Sequence, residues 1–354
     1  MSGLIITALV ILVFIIIYQI SKASEYAAVL RGSEKVSNTT NTTIAWLLLA
    51  FYVLGLYGLY KCHQYLAPLL LPESASTQGL AYEQMMHVTL WITGAVFIST
   101  QTLLFWFSFK YRAQEGKKPY FISHNNKLEV IWTTIPAITL MVLVGFGLKN
   151  WMSITDEAPE DSEVVQVVGK QFNWIIRYPG KDGVFGKTDF RLINESNNVL
   201  GLDWNDPASL DDIIVENGEA TIPNEKNVKF VINSRDVIHD VGLPHFRLKM
   251  DAVPGITTTL WFTPRITTEE MKTKTGNPNF VYEIACDQMC GKGHYSMRGT
   301  VVVVTPAEYK QWLSEQTSYY SLMVAPKSEE AAPAATEEGA QTAEATTENA
   351  VAVK

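Results

Sequence analysis

Charge is scarce in this 354-residue chain: Asp, Glu, Lys and Arg make up 18% of it, against roughly 25% in an ordinary soluble domain. With 47% hydrophobic residues and a mean hydropathy of +0.06, that scarcity argues against a fully soluble globular chain and against a disordered one. Base is scarcer than acid. The 28 Lys and Arg stand against 36 Asp and Glu, a formal net charge of −8, so nucleic acid is a poor partner and a cationic soluble partner remains open. Cysteine is nearly absent. Cys62, Cys286 and Cys290 are too few for a disulfide scaffold. No Cys-x-x-Cys-His occurs, so no covalently attached haem is expected. There is no internal repeat.

What the chain has in quantity is long apolar runs. Residues 4–20, 43–60, 85–109 and 130–148 approach or exceed the ~18–20 residues that a helix needs to cross a bilayer. The first holds only Gln19 as a strongly polar residue, and the last contains Pro136, which a membrane helix tolerates when neighbours satisfy the freed carbonyl. Four buried core helices of a soluble protein are the alternative, and four such runs within the first 150 residues weigh against it. Basic residues in the connections set the orientation. Lys22, Arg31 and Lys35 lie in the first connection, Lys61 in the second, and Lys110, Arg112, Lys117, Lys118 and Lys127 in the third. The first and third connections are therefore expected in the cytoplasm, with everything after residue 149 outside. Met1-Ser2-Gly3 supplies no positive region ahead of the first run, which is expected to be a retained helix rather than a cleaved signal.

After Trp151 the apolar runs become short. Residues 163–169, 171–178, 229–234, 257–262, 279–285 and 300–304 are rich in Val, Ile, Phe, Tyr and Thr, and turn residues such as Asn217-Gly218 and Pro254-Gly255 separate them. This predicts an antiparallel β-sandwich or barrel. Pro306 opens a short amphipathic helix through Trp312, and residues 188–214 fit no strand and read as an insertion. From Ala325 onward the chain is Ala, Glu, Thr and Pro, which predicts disorder. The expected domains are residues 1–84, a two-helix extension; 85–150, a helical hairpin; 151–324, an outer domain; and 325–354, a tail.

The strongest chemical signal is Cys286-Asp-Gln-Met-Cys290-Gly-Lys-Gly-His294-Tyr-Ser-Met297. Two thiols, an imidazole and a thioether follow directly on a predicted strand, the ligand softness that copper favours. His239 lies 47 residues before Cys286 and supplies a further ligand. A mononuclear blue-copper site uses a single Cys. Two thiolates can instead bridge two copper ions, each then taking one His, with Met and a backbone carbonyl in the weak axial positions. A disulfide and a structural zinc site are the competing readings. Zinc has no use for Met297, and the spacing is not a usual finger spacing.

This loop resembles the signature Cys-x-Glu-x-Cys-Gly-x-x-His-x-x-Met of subunit II of the haem–copper cytochrome c oxidases, departing from it at one position. Asp236-Val-Ile-His239, Leu248-Lys-Met-Asp251-Ala-Val-Pro-Gly255 and Leu128-Glu129-Val-Ile-Trp132-Thr-Thr-Ile-Pro136 are similar to three further blocks of that family, so the resemblance spans roughly two thirds of the chain. It implies a cupredoxin-like Greek-key sandwich anchored by a two-helix hairpin. It also implies a binuclear CuA centre: Cys286 and Cys290 bridging, His239 and His294 each binding one copper, Met297 axial to one and the Gln288 carbonyl axial to the other. Many members have Glu where Gln288 stands, and that side chain helps hold a magnesium ion against subunit I, so the magnesium role is left open here. Gly169-Lys-Gln171-Phe172-Asn-Trp174 is similar to the family's aromatic electron-entry block. Phe172 stands where a Trp is common. Both aromatics also suit strand positions that fill a sandwich. Glu129 falls where the family places a Glu at the mouth of a proton pathway; a solvated helix-end acid is the simpler reading.

The function so implied is electron entry in a proton-pumping terminal oxidase of a bacterial inner membrane, the outer domain being periplasmic. A c-type cytochrome with a basic face would be the donor, and haem and oxygen chemistry would reside on subunit I, with other oxidase subunits as partners. A copper-free structural subunit of a quinol oxidase is the alternative that the intact ligand set opposes. A membrane-anchored copper-binding protein would not need the Leu128–Pro136 block. His245 matches no ligand of the family and reads as a surface residue, His87 reads as interfacial, His63 and His124 flank helices and need no special role, and Cys62 reads as a lone thiol.

Overall fold

A computed structural model of the chain describes residues 2–31, 34–114, 116–118 and 120–324; the tail expected to be disordered lies outside the described residues. The chain divides into two compact units. One comprises Met1–Pro179 with Ile213–Gln316, the other Gly180–Asp212 with the chain from Thr317.

The four apolar runs lie in helices α1 (Ser2–Arg31), α2 (Glu34–Leu66), α3 (Thr77–Lys110) and α4 (Asn126–Thr155). All four are long and apolar enough to cross a membrane. At ~1.5 Å per residue each exceeds the ~30 Å hydrocarbon core. Their starts are capped where a polar side chain is available: Ser76 accepts from Gly79 N at the head of α3, and Asn125 from Leu128 N at the head of α4. Helix α4 runs on through Pro136. Aromatic contacts join successive helices, Phe14 with Phe51 at 5.8 Å, Trp46 with Phe109 at 4.7 Å, and Tyr52 stacked on Phe105 at 5.0 Å.

The outer domain is a sandwich of two five-stranded sheets. Its strands are β1 (Glu163–Lys170), β2 (Asn173–Tyr178), β3 (Ile213–Val215), β4 (Glu219–Pro223), β5 (Val228–Ser234), β6 (His239–Leu243), β7 (Leu248–Ala252), β8 (Thr258–Phe262), β9 (Tyr282–Cys286) and β10 (Arg298–Val304). The spatial orders are β3-β2-β1-β5-β8 and β4-β10-β9-β6-β7. The expectation of a purely antiparallel arrangement is corrected: β1 pairs with β5, and β4 with β10, in parallel. The cause is topological. The chain leaves the first sheet after β3, adds β4 to the second and returns as β5, so those partners run in the same direction. The sequence pattern does not mark β3, β4, β6 or β7, which are three to five residues long; β6 is buried on both faces and so lacks alternation.

Alternation is clear elsewhere. Val228, Phe230 and Ile232 of β5 face inward, as do Val301 and Val303 of β10. Burying each such side chain contributes about 1.5–3 kcal/mol. After β8, helix α5 (Thr268–Thr275) is opened by a Thr267–Glu270 capping box, and after β10 helix α6 (Pro306–Glu315) by Thr305 and Glu308.

The connection from α2 to α3 lies along the outer domain. Ser74, Ala75 and Ser76 are fully buried. Ala75 N donates to His245 O at 2.8 Å, Arg265 N to Ala75 O at 2.8 Å, and Ser76 Oγ to Phe246 O at 2.7 Å. Arg247, in the β6–β7 turn, pairs with Glu83 of α3 at 2.6 Å and also donates to the Pro72 and Pro244 carbonyls. These contacts join the sheet that carries the Cys286–Met297 loop to the apolar helices.

The second unit is built from turns. Asn198 accepts from Leu202 N at 2.8 Å and donates to its carbonyl at 3.0 Å, and two single 3-10 turns form at Phe190–Leu192 and Pro207–Ser209. A short helix α7 (Tyr319–Met323) sets Tyr320 against Trp204 at 5.4 Å. The insertion expected at 188–214 is therefore shifted: the unit starts at Gly180, while Ile213 and Ile214 belong to β3.

Candidate metal centre

Two adjacent strands of the second sheet bring the candidate ligands together. Tyr282, Ile284 and Cys286 alternate inward along β9, so Cys286 is the last inward residue before the loop. β6 pairs antiparallel with β9, Val241 opposite Cys286, and Asp287 N donates to Asp240 O at 3.2 Å. Continuing that register sets His239, the first residue of β6, beside the loop that follows Cys286. The loop then turns back through a single 3-10 turn at His294–Ser296 and enters β10.

All six candidate ligands converge. Cys286 Sγ lies 3.8 Å from Cys290 Sγ, 3.8 Å from His239 Nδ1 and 3.2 Å from the Gln288 carbonyl oxygen. Cys290 Sγ lies 3.9 Å from His294 Nδ1 and 3.8 Å from Met297 Sδ. The ligand atoms of His239, Cys286 and Cys290 all lie within 4.8 Å of one another. His239 and Met297 are 0% and 1% exposed, whereas His294 is half-buried at the surface. The Gln288 side chain points outward and only its carbonyl turns in.

A surrounding layer holds this arrangement. His239 Nε2 lies 2.8 Å from Asp236 Oδ1. Gly169 of β1 backs the imidazole: a Cβ there would come within 2.7 Å of His239 Cδ2. Gln171 Nε2 donates to the Cys290 carbonyl at 2.5 Å, and the Phe172 ring lies so close over Gly293 that a Cβ there would sit 2.4 Å from it. The β1–β2 turn thus clasps the loop from one side. No motif pointed to Asp236, Gly169 or Gln171 as supports, although the first falls within the Asp236–His239 block and the other two within the Gly169–Trp174 block. Their positions follow from strand packing, which spacing along the chain does not reveal.

The electrostatics favour a neutral Cys290 thiol until a cation arrives. Burial pushes the Cys290 thiol up to about 11, with a hydrogen bond to Cys286 adding to it. Burial also raises the Asp236 carboxyl, but the Gln171 N–H, the His239 ring and the Val237 N–H outweigh it and hold it below the usual carboxylate range. Asp240 is pushed up to about 7, first by burial and then by Asp251 and Asp287. The donor set fits copper: two adjacent sulfurs, flanked by an imidazole on each side and completed by a thioether and a carbonyl. The two thiols carry no disulfide.

The remaining candidates lie elsewhere. Trp174 is fully buried beneath His239, the two rings 5.9 Å apart edge to face, so it fills the sandwich and offers no surface. Phe172 is half-buried. Met289 and Tyr295, which the sequence did not single out, are 76% and 85% exposed on the copper loop. Glu129 sits exposed in the first turn of α4, the end remote from the outer domain. His245 packs against Phe280 and Tyr282, away from the cluster. Cys62 is exposed on α2.

Two family models match the chain. Residues 64–149 match the family model for the transmembrane domain of cytochrome c oxidase subunit II, and residues 163–305 the model for its periplasmic domain. An alternative cytochrome c oxidase subunit 2 from Bradyrhizobium diazoefficiens is 33% identical over 240 residues, covering 68% of this chain and 82% of that protein. A cytochrome c oxidase subunit 2 from Thermostichus vulcanus is 27% identical over 307 residues, covering 79% and 88%. The crystal structure of the periplasmic domain of subunit II of cytochrome oxidase from Bradyrhizobium japonicum is 24% identical, covers 45% of this chain and 95% of its own, and has a TM-score of 0.30.

Proposed function

The chain belongs to the cytochrome c oxidase subunit II family, and from that premise we propose that it is the electron-entry subunit of a proton-pumping haem–copper terminal oxidase in a bacterial inner membrane. The observation that carries this reading is the convergence of Cys286, Cys290, His239, His294, Met297 and the Gln288 carbonyl on one another. A copper pair bound there would supply one-electron acceptance and release. Cys286 and Cys290 would hold it as thiolates, giving up their protons on binding. His239 and His294, one to each copper, would hold it together with Met297 and the Gln288 carbonyl.

The β-sandwich would hold these ligands in one geometry in either redox state, so little rearrangement accompanies each transfer. A c-type cytochrome with a basic face would deliver the electrons. The excess of acid over base in the outer domain supports that, 24 Asp and Glu against 16 Lys and Arg from Trp151 to Val324. Phe172 would lie under the docking surface, Trp174 behind it. Haem and oxygen chemistry would belong to subunit I. Glu129, on the far end of α4, would stand at the mouth of a proton-uptake pathway there. Residues 85–150 would be the family's hairpin and residues 1–84 an added pair of helices.

Metal analysis with absorption and paramagnetic resonance spectra of the purified full-length subunit tests this. Two coppers per chain with a mixed-valence signal are expected. One copper with a single blue band, or zinc alone, would overturn the binuclear reading.

A further inference from the structure

The half-site around His239 contains a residue that the ligand set does not include. His239 is fully buried, so its second ring nitrogen must find a partner in the protein or go without. Asp236 Oδ1 lies 2.8 Å from Nε2, while Nδ1 faces Cys286 Sγ at 3.8 Å. A carboxylate has no proton to give, so the ring donates from Nε2, and the lone pair of Nδ1 is left facing the thiols.

Asp236 is itself held. It accepts from Gln171 N at 2.7 Å and from Val237 N at 2.7 Å. Gln171 in turn reaches the Cys290 carbonyl. One carboxylate therefore ties together His239, the β5–β6 loop and the β1–β2 turn that clasps the copper loop. The other imidazole is different. His294 is half-buried at the surface, and among the described residues its ring has only Cys290 Sγ within hydrogen-bonding range.

We propose that Asp236 is a positioning residue of the metal centre, which fixes the tautomer and orientation of His239 and, through its negative charge, makes that imidazole the more electron-donating of the two. The inference rests on the copper reading above. A carboxylate behind a ligating imidazole raises its basicity, and loss of such a partner typically weakens metal binding by about 10–100-fold. A more basic imidazole stabilises the oxidised metal, so the charge lowers the reduction potential of the centre. A docking role for the same carboxylate is the competing assignment, because its side chain is 31% exposed.

Asp236→Asn keeps a hydrogen-bond acceptor of the same size and removes the charge; Asp236→Ala removes both. Each is made in the full-length subunit and compared with the wild type for copper per chain, reduction potential, histidine hyperfine couplings and melting temperature. The wild type must first take up its two coppers; if it does not, the copper reading fails and this proposal with it. With the wild type loaded, Asp236→Asn is expected to retain both coppers with a raised potential and altered couplings at one histidine. Asp236→Ala is expected to raise the potential further and to weaken copper binding by about 10–100-fold. A potential and couplings unchanged in both variants, with only electron entry from a basic cytochrome slowed, would make Asp236 a docking acid and overturn the proposal.

Discussion

Adding one methyl group behind a ligand tests how closely the sandwich controls the centre. In Gly169→Ala the new Cβ would lie 2.7 Å from His239 Cδ2 and 3.0 Å from Cγ. Carbon atoms settle at about 3.5–4.0 Å, so the imidazole must retreat by roughly 1 Å. Metal–ligand distances tolerate about ±0.2 Å, and the same movement strains the contact with Asp236. The backbone of Gly169 lies outside the left-handed region, so alanine brings no strain of its own. Overpacking of this size costs about 1–3 kcal/mol, partly offset by the roughly 0.5–1 kcal/mol that alanine regains over glycine in a strand. The fold should therefore survive while copper affinity falls by about 10–100-fold and the spectrum of residual copper changes. Gly145→Ala on α4 is the control, because a Cβ there meets nothing within 4 Å. Copper titration, the absorption spectrum and the melting temperature of both full-length variants provide the assay. A Gly169→Ala protein that binds copper as tightly as wild type, with the same spectrum, would refute the claim that β1 fixes the His239 ring.

Cys290→Ser should abolish the mixed-valence signal and turnover with reduced cytochrome, whereas Met297→Leu should keep copper and shift its potential, since a weak axial ligand tunes rather than holds the site; equal and total copper loss in both would contradict these roles. Gln288→Ala should leave copper in place, because only the carbonyl turns inward. Asp240, with its carboxyl raised to about 7 by burial and by Asp251 and Asp287, binds its proton more tightly folded than unfolded. Its destabilising effect is absent below the ordinary carboxylate range and grows as pH rises towards 7. The copper-free Asp240→Asn variant should therefore gain melting temperature over wild type at pH ~8 but not at pH ~4; an equal difference at both pH values would remove Asp240 as the cause. Electron entry from a soluble basic cytochrome should slow steeply as salt shortens the ~8–10 Å screening length. A flat profile would point to a donor held in a permanent complex.

The sequence by itself determined the membrane anchor and most of the candidate ligand set, and the reason is locality. A bilayer demands a run of fixed length, so residues 4–20, 43–60, 85–109 and 130–148 reveal helices without reference to anything distant. The loop from Cys286 to Met297 places five of the six candidate ligand atoms within twelve residues. What only the tertiary structure decided depends on strands far apart in sequence. Parallel pairing of β1 with β5 and of β4 with β10 follows from the path between sheets, on which alternation is silent. The short strand β6, buried on both faces, carries no periodic signal, yet its register with β9 brings His239 to Cys286. Trp174 reads as an aromatic of the entry block and is a core residue because β2 turns it inward beneath His239. Asp236, Gly169 and Gln171 acquire their roles only when β1 and the β5–β6 loop pack against the copper loop, since orienting an imidazole requires contacts on two sides that no stretch of sequence supplies alone.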